Sequence, residues 1–168
     1  MREFETRDYP VFEMFNHQWG LVTAGDAGRW NTCTIAWGSM GSIWGPPNGG
    51  RSVITVYVNP DRYTWDVLTE SDTFTVQFFP PEYRQALGYL GSHSGRDGDK
   101  VSAAGLTPKE LAGGITFEEA ELTFVCRKLY QGQFQREGLA DEIRHGIYEN
   151  WDPHWMFVGE ILEVEDKR

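Results

Sequence analysis

The chain has 168 residues, with 15 basic and 25 acidic side chains and a formal charge of -10, a length that fits one domain over residues 1–168. So acidic a chain offers no broad basic face to nucleic acid or to an anionic membrane, and 40% hydrophobic with 14% aromatic residues excludes a disordered tail. Cys33 and Cys126 make no disulfide framework, no apolar run spans a bilayer, and the charged start MREFETRDYP is no signal peptide, so a soluble, reduced, cytoplasmic domain is expected.

Turn signals divide the chain into short elements. They fall at Gly45-Pro46-Pro47-Asn48-Gly49-Gly50, Asn59-Pro60, Pro80-Pro81, Gly113-Gly114 and Asp152-Pro153. The first predicted strands are Trp19–Thr23 and Asn31–Trp37. Ser52–Asn59 (SVITVYVN) is the clearest, being β-branched and aromatic throughout. Val53, Thr55 and Tyr57 face one way on it, and Ile54, Val56 and Val58 the other. Both faces are mostly apolar, so both are expected to be covered. A helix follows over Pro60–Leu68, with Asn59 as N-cap and Pro60 at the first helical position. Thr73–Phe79 is a strand, and Glu82–Leu90 is a helix with Tyr83, Leu87 and Leu90 on one face. Ala120–Leu129 and Trp155–Glu165 are strands, flanking a short helix near Asp141–Tyr148. About six strands and few helices, without regular alternation, argue for a mainly β antiparallel barrel.

Three segments carry residues that can hold an anion or a flat ring, and each has a plain structural alternative: a solvated loop, an ordinary helix start, and a strand followed by a loop with a buried Trp. In Ser92-His93-Ser94-Gly95-Arg96-Asp97-Gly98-Asp99-Lys100, small residues around Arg96 and Lys100 can present backbone N–H groups and cations to an anion; a solvated surface loop is the plain alternative. In Asn59–Thr64, a helix start would aim free N–H groups at an anion, with Arg62 and Thr64 adding a guanidinium and a hydroxyl. In Asn31–Gly41, backbone at Gly38 and Gly41 can bond the edge of a flat ring, and Trp37 or Trp44 can cover its face. His154, just before the last strand, is the one histidine suggested for proton handling. No histidine–cysteine spacing suggests zinc. No GxSxG, P-loop or GxGxxG pattern supports a hydrolase, an NTPase or a Rossmann domain.

Taken in order from about Phe15 to Val164, these segments resemble the flavin reductase-like proteins, whose fold is the FMN-binding split barrel. The resemblance rests on Gly20-Leu21-Val22-Thr23, NTCTIAWGSMG, SVITVYVNP followed by Arg62-Tyr63-Thr64, FTVQFF, SGRDGDK followed by Gly105-Leu106, and His154-Trp155-Met156-Phe157-Val158-Gly159-Glu160-Ile161. It implies a mainly β split barrel with a few short helices and FMN as cofactor. Arg62, Tyr63 and Thr64 would bind the FMN phosphate, with Ser94, Gly95, Arg96 and Lys100 assisting. Asn31, Thr32, Thr34, Ala36, Trp37 and Gly38 would line the isoalloxazine, largely through backbone groups. His154 would lie near the ring as the catalytic candidate, where family members meet a nicotinamide or another donor. The resemblance further implies a homodimer with flavin near the interface. Trp37-Gly38-Ser39-Met40-Gly41 stands where many members carry Ser-Ser or Ser-Phe. Trp37 and the segment from Trp44 to Arg51 would narrow access to the ring.

The functional expectation is an FMN-binding oxidoreductase, using NADH or NADPH to reduce flavin or another small acceptor. The alternatives are a flavoredoxin-like carrier without nicotinamide-dependent activity, or a split-barrel module holding another flat ligand such as haem, with His93 or His154 as axial ligand.

Overall fold

The computed structural model describes residues 1–47 and 49–168; Asn48, within the first turn signal, lies outside the described residues. The strand Arg51–Val58 is β4. Its β-branched run buries Val53, Ile54, Thr55, Val56 and Val58, so both faces are covered as the sequence requires. It pairs with β9 (Trp155–Asp166) on one side and β3 (Gly38–Ile43) on the other. With β1 (Gly20–Asp26), β2 (Arg29–Ile35), β5 (Thr73–Phe78) and β8 (Leu122–Gln133), these form an antiparallel sheet ordered β2-β1-β5-β8-β9-β4-β3. β8 and β9 run beside each other with register shifts at Val125/Cys126 and Lys128/Tyr130, and such bulges add twist. The sheet closes on itself far enough for β2 to contact β4, although the two are not hydrogen-bonded neighbours. One cavity opens at that unpaired seam.

Among the described residues nine strands are present where about six were expected. β3 was missed because GSMGSI has few strand-favouring side chains; it is an edge strand pairing only with β4. Gly38 begins it rather than opening a loop. A Cβ there would lie 2.2 Å from the Phe15 ring, so the glycine lets β3 pack against that phenylalanine. The hairpin of β6 (Pro108–Leu111) and β7 (Gly114–Phe117) was read only as a turn. Its two turn residues, Ala112 and Gly113, have φ of 48° and 81°, the left-handed geometry of a tight hairpin.

The helical segments are α1 (Val11–Glu13), continuing as a π-turn through Gln18, α2 (Tyr63–Glu70), α3 (Arg84–Ser92) after a 3-10 turn, α4 (Lys100–Ala103) and α5 (Asp141–Gly146). α2 begins three residues later than expected. Asn59 does not cap it: its Oδ1 accepts the Asp61 N–H at 2.9 Å, and its carbonyl accepts the Arg62 N–H at 3.1 Å. The chain completes this local turn first, leaving Arg62 extended as the residue before the helix.

One hydrophobic cluster fills the barrel, built on Phe74, Val76, Phe78, Phe124 and Phe157 with Ile54 and Val56. Each such side chain contributes about 1.5–3 kcal/mol on burial. A second, around Leu21, Phe79, Leu87, Leu90 and Phe117, seats α3 and α4 on the outer face of the sheet. That packing brings the Ser92–Lys100 loop against the start of α2. No helix among the described residues is long and apolar enough to cross a membrane.

Candidate functional site

A polar niche of about 170 Å³ lies between β2, the start of α2 and the loop before α4. Asn31 points into it from β2 and donates from Nδ2 to the Thr64 hydroxyl at 2.7 Å. Tyr63 and Thr64 occupy the first turn of α2, where backbone N–H groups lack partners within the helix. Gly95 packs so tightly that a Cβ would meet Asn31 Oδ1 at 2.1 Å. Lys100 is the unusual member. Its ammonium is buried, and it donates to the carbonyls of Leu90 at 3.1 Å and His93 at 3.0 Å. Burial pulls its pKa below the usual lysine range, and the nearby Arg62 charge adds to that. Among the described residues neither Lys100 nor Arg62 forms a salt bridge. Arg62 donates to the Gly91 carbonyl at 2.7 Å. Asp61 and Asp97 lie on the rim.

A second cavity of about 300 Å³ adjoins the niche, sharing Cys33, Asp61 and Arg62 with it. Its floor is the end of β2 at Thr34 and Ile35 with the following Ala36 and Trp37, its side the end of β4 at Tyr57 and Val58 with the following Asn59, and its rim Trp151 and His154. Trp37, 41% exposed, packs against His154 with ring centroids 4.5 Å apart. His154 Nδ1 lies 3.0 Å from the Tyr148 hydroxyl. With that hydroxyl as donor, the imidazole proton is on Nε2. Burial first, and the Arg62 charge second, push the His154 pKa down to about 4, so the ring is neutral at physiological pH. The Cys33 thiol is buried and its pKa raised. Such a thiol is not a nucleophile.

Most of the sequence-predicted residues fall in these two places. Asn31, Arg62, Tyr63, Thr64, Ser94, Gly95 and Lys100 line the niche, and Thr34, Ala36, Trp37 and His154 line the ring-sized cavity. Asn31 is thus with the phosphate-type group and not with the ring group. Three candidates lie elsewhere. Thr32 points to the opposite side of β2, where its hydroxyl joins Thr23 and the Val22 carbonyl. Gly38 packs on Phe15. Arg96 turns its guanidinium outward to Asp66 and over the Tyr63 ring, so its charge is already paired. Trp44, offered as a ring cover, lines neither cavity.

Sequence reasoning missed Cys33, Tyr57, Tyr148 and Trp151. The two-residue period of β2 places Cys33 on the face of Asn31, which was a usable signal. Trp151 stands beside the Asp152-Pro153 turn, where a large aromatic has little core to join. No local pattern marks Tyr148 as the partner of His154. Among the described residues no cluster of histidine, cysteine and carboxylates could hold a metal ion.

The flavin reductase like domain model matches residues 12–168, and the chain belongs to that family. No curated protein matches it. Among solved structures it is similar to a flavoredoxin from Methanosarcina acetivorans, at 23% identity and TM-score 0.65 over 89% of this chain and 68% of that one. An FMN-binding protein from Thermus thermophilus, solved with bound 1-cyclohex-2-enone, aligns at 23% identity and TM-score 0.67, over 99% and 81%. The flavoredoxin of Desulfovibrio vulgaris (Miyazaki F) aligns at 22% and TM-score 0.64, over 96% and 76%. At these identities the likeness establishes the split-barrel fold.

Proposed function

We propose that this chain is an FMN-binding oxidoreductase that takes reducing equivalents from NADH or NADPH and passes them to flavin or another small acceptor. The observation that carries the reading is the buried Lys100 ammonium beside Arg62, two cations without carboxylate partners at the mouth of a helix. An ammonium has three donors, and carbonyls account for two of those on Lys100. A phosphate would take the third, together with the α2 N–H groups and Arg62. Next to it, Thr34–Trp37 border a cavity of a size suited to the isoalloxazine. Bound there, FMN would supply the hydride and electron chemistry. The protein's own groups orient: Trp37 covers, and His154 offers a neutral Nε2–H donor to whatever occupies the ring cavity.

The test is absorbance of the purified chain, then anaerobic titration with NADH and NADPH. Flavin bands that bleach support the oxidoreductase. Bands that persist support a flavoredoxin-like carrier, which one observation favours: the ring cavity has Arg62 as its single cationic wall residue among the described residues, a thin provision for a dinucleotide pyrophosphate. A preparation that neither contains nor takes up FMN ends both readings. We also propose a homodimer with the flavin near its interface, expected as twice the chain mass by light scattering; a monomer that holds FMN would overturn that.

A further inference from the structure

The connection between β8 and β9, residues 134–154, supplies the aromatic side of the ring cavity and is tied down in an unusual manner. Arg136 Nη1 donates to the Tyr148 carbonyl and Nη2 to the Trp151 carbonyl, the latter at 2.7 Å. Gln133 Nε2 donates to the Pro153 carbonyl at 2.9 Å, and the Phe134 N–H to the His154 carbonyl at 3.2 Å. Arg144 braces the clasp from outside, donating to the carbonyls of Arg136 at 3.0 Å and Leu139 at 2.9 Å. Residues 133–136 thus hold four carbonyls of the returning segment. Burial cannot do this for Trp151, a residue 54% exposed. Its place on the rim is set by its backbone, and its backbone by Arg136.

We propose that Arg136 is a positioning residue, whose two-pronged hold on Tyr148 and Trp151 fixes the aromatic wall and the orientation of His154, so that the cavity presents its aromatic faces to a flat ring. A planar guanidinium can satisfy two carbonyls at once in a fixed geometry, which a lysine ammonium on its flexible stem does not reproduce. Trp37, Trp151 and neutral His154 offer ring faces at the mouth. The charged groups of the cavity, Asp61 and Arg62, are exposed and stand where it meets the niche. Tyr148 bonds His154, Trp37 and Trp151 lie against its ring, the Arg62 charge acts on it, and Cys33 from β2, Tyr57 from β4 and Asp61 from the turn before α2 are the other titratable groups lining the same cavity. The inference rests on the ring cavity being the ligand site proposed above.

The test uses the full chain as purified and its Arg136→Met and Arg136→Lys variants. Histidine nuclear magnetic resonance, with His154→Gln to assign the signal, reads tautomer and titration midpoint. In the parent chain His154 is held as the Nε2–H form; in both variants it becomes a tautomer mixture and its midpoint rises by at least one pH unit as water reaches the ring. Calorimetric titration with 1,4-naphthoquinone gives a dissociation constant at least fivefold weaker in Arg136→Met, Arg136→Lys and Trp151→Ala. In the parent, the non-aromatic cyclohexane-1,4-dione binds at least tenfold more weakly than the quinone. A folded Arg136→Lys protein with unchanged His154 titration and unchanged quinone binding overturns the proposal. If the chain takes up no FMN but the variants still move His154, the flavin reading falls and the positioning role stands. If FMN binds but Arg136 moves neither readout, the positioning role falls alone.

Discussion

The niche and the ring cavity touch through Cys33, Asp61 and Arg62, yet they are built in opposite ways. The niche is polar and laced with hydrogen bonds. Its groups come from a strand, a helix start and a loop that are each short in sequence, and α3 and α4 are pressed against the sheet by a hydrophobic cluster of their own. The ring cavity is a seam. Its walls are the ends of β2 and β4, which the sheet brings together without pairing, and a long connection held by side chain to carbonyl bonds. A site for a fixed anion profits from preorganised donors. A site for a ring that must also admit a second molecule profits from walls that carry less of the core. Substitutions in the niche should therefore act on cofactor affinity, and substitutions around the seam on selectivity and pH response.

The largest effect is expected for Lys100→Met, which removes the buried ammonium at similar volume. FMN affinity should fall by about 3 kcal/mol, roughly 100-fold, the upper end for a hydrogen bond to a charged group. Fluorescence titration of the released flavin checks it, and unaltered affinity would remove the niche from consideration. Arg62→Ala should cost about 1.5–3 kcal/mol of the same affinity. Because Arg62 also helps to hold the His154 pKa down, this variant should raise the His154 midpoint as well. An effect on one region without the other would deny that Arg62 couples them.

Two glycines sharpen the contrast further. Gly95→Ala would drive a methyl group into Asn31 Oδ1, and Gly38→Ala into the Phe15 ring. Overpacking of this kind costs about 1–3 kcal/mol. For Gly95 the expected reading is roughly tenfold weaker FMN binding, because Asn31 orients Thr64. For Gly38 it is a lower Tm with FMN affinity kept. Equal behaviour of the two variants would mean that Gly38 belongs to the site after all.

Much of the niche could be read from the sequence because its parts are local. Glycines beside Lys100, and Arg62 ahead of a helix, carry their chemistry in a few adjacent letters. The failures there are matters of partner choice. Arg96 has the same charge as Lys100, but Asp66 of α2 lies within its reach, and nothing local says which of two cations a carboxylate from another element will claim. Thr32 was misplaced because the two-residue period that sets Asn31 and Cys33 on one face of β2 sets Thr32 on the other, where it bonds Thr23 and the Val22 carbonyl. The final signature illustrates another limit. Gly159 and Glu160 serve the barrel itself: a Cβ on Gly159 would meet Phe74 at 2.5 Å, and Glu160 bridges Arg51 and Arg127. The wall of the ring cavity was least legible, since the Tyr148–His154 and Arg136–Trp151 contacts depend on a loop closing on itself.

The smallest expected effect is on stability against pH. His154 has a folded pKa near 4 against an ordinary value of 6.5, so between those values the unfolded chain binds more protons than the folded one. Stability from this group is complete above about pH 6.5 and is lost as the pH falls toward 4. The other strongly displaced groups do not cloud that window. Glu5 and Asp166 are lowered from 4.5 and 3.8 to about 2, so their contributions fade at lower pH. The His154 contribution should be about 1 kcal/mol once solvent screening of a half-buried ring is allowed for, or about 2–4 °C in Tm. Melting curves at pH 5 and pH 7 read it directly, with His154→Gln as the reference that lacks the slope. Equal slopes in the two proteins would mean that the seam is wet around His154, and that the ring cavity does not shelter the imidazole that the aromatic wall encloses.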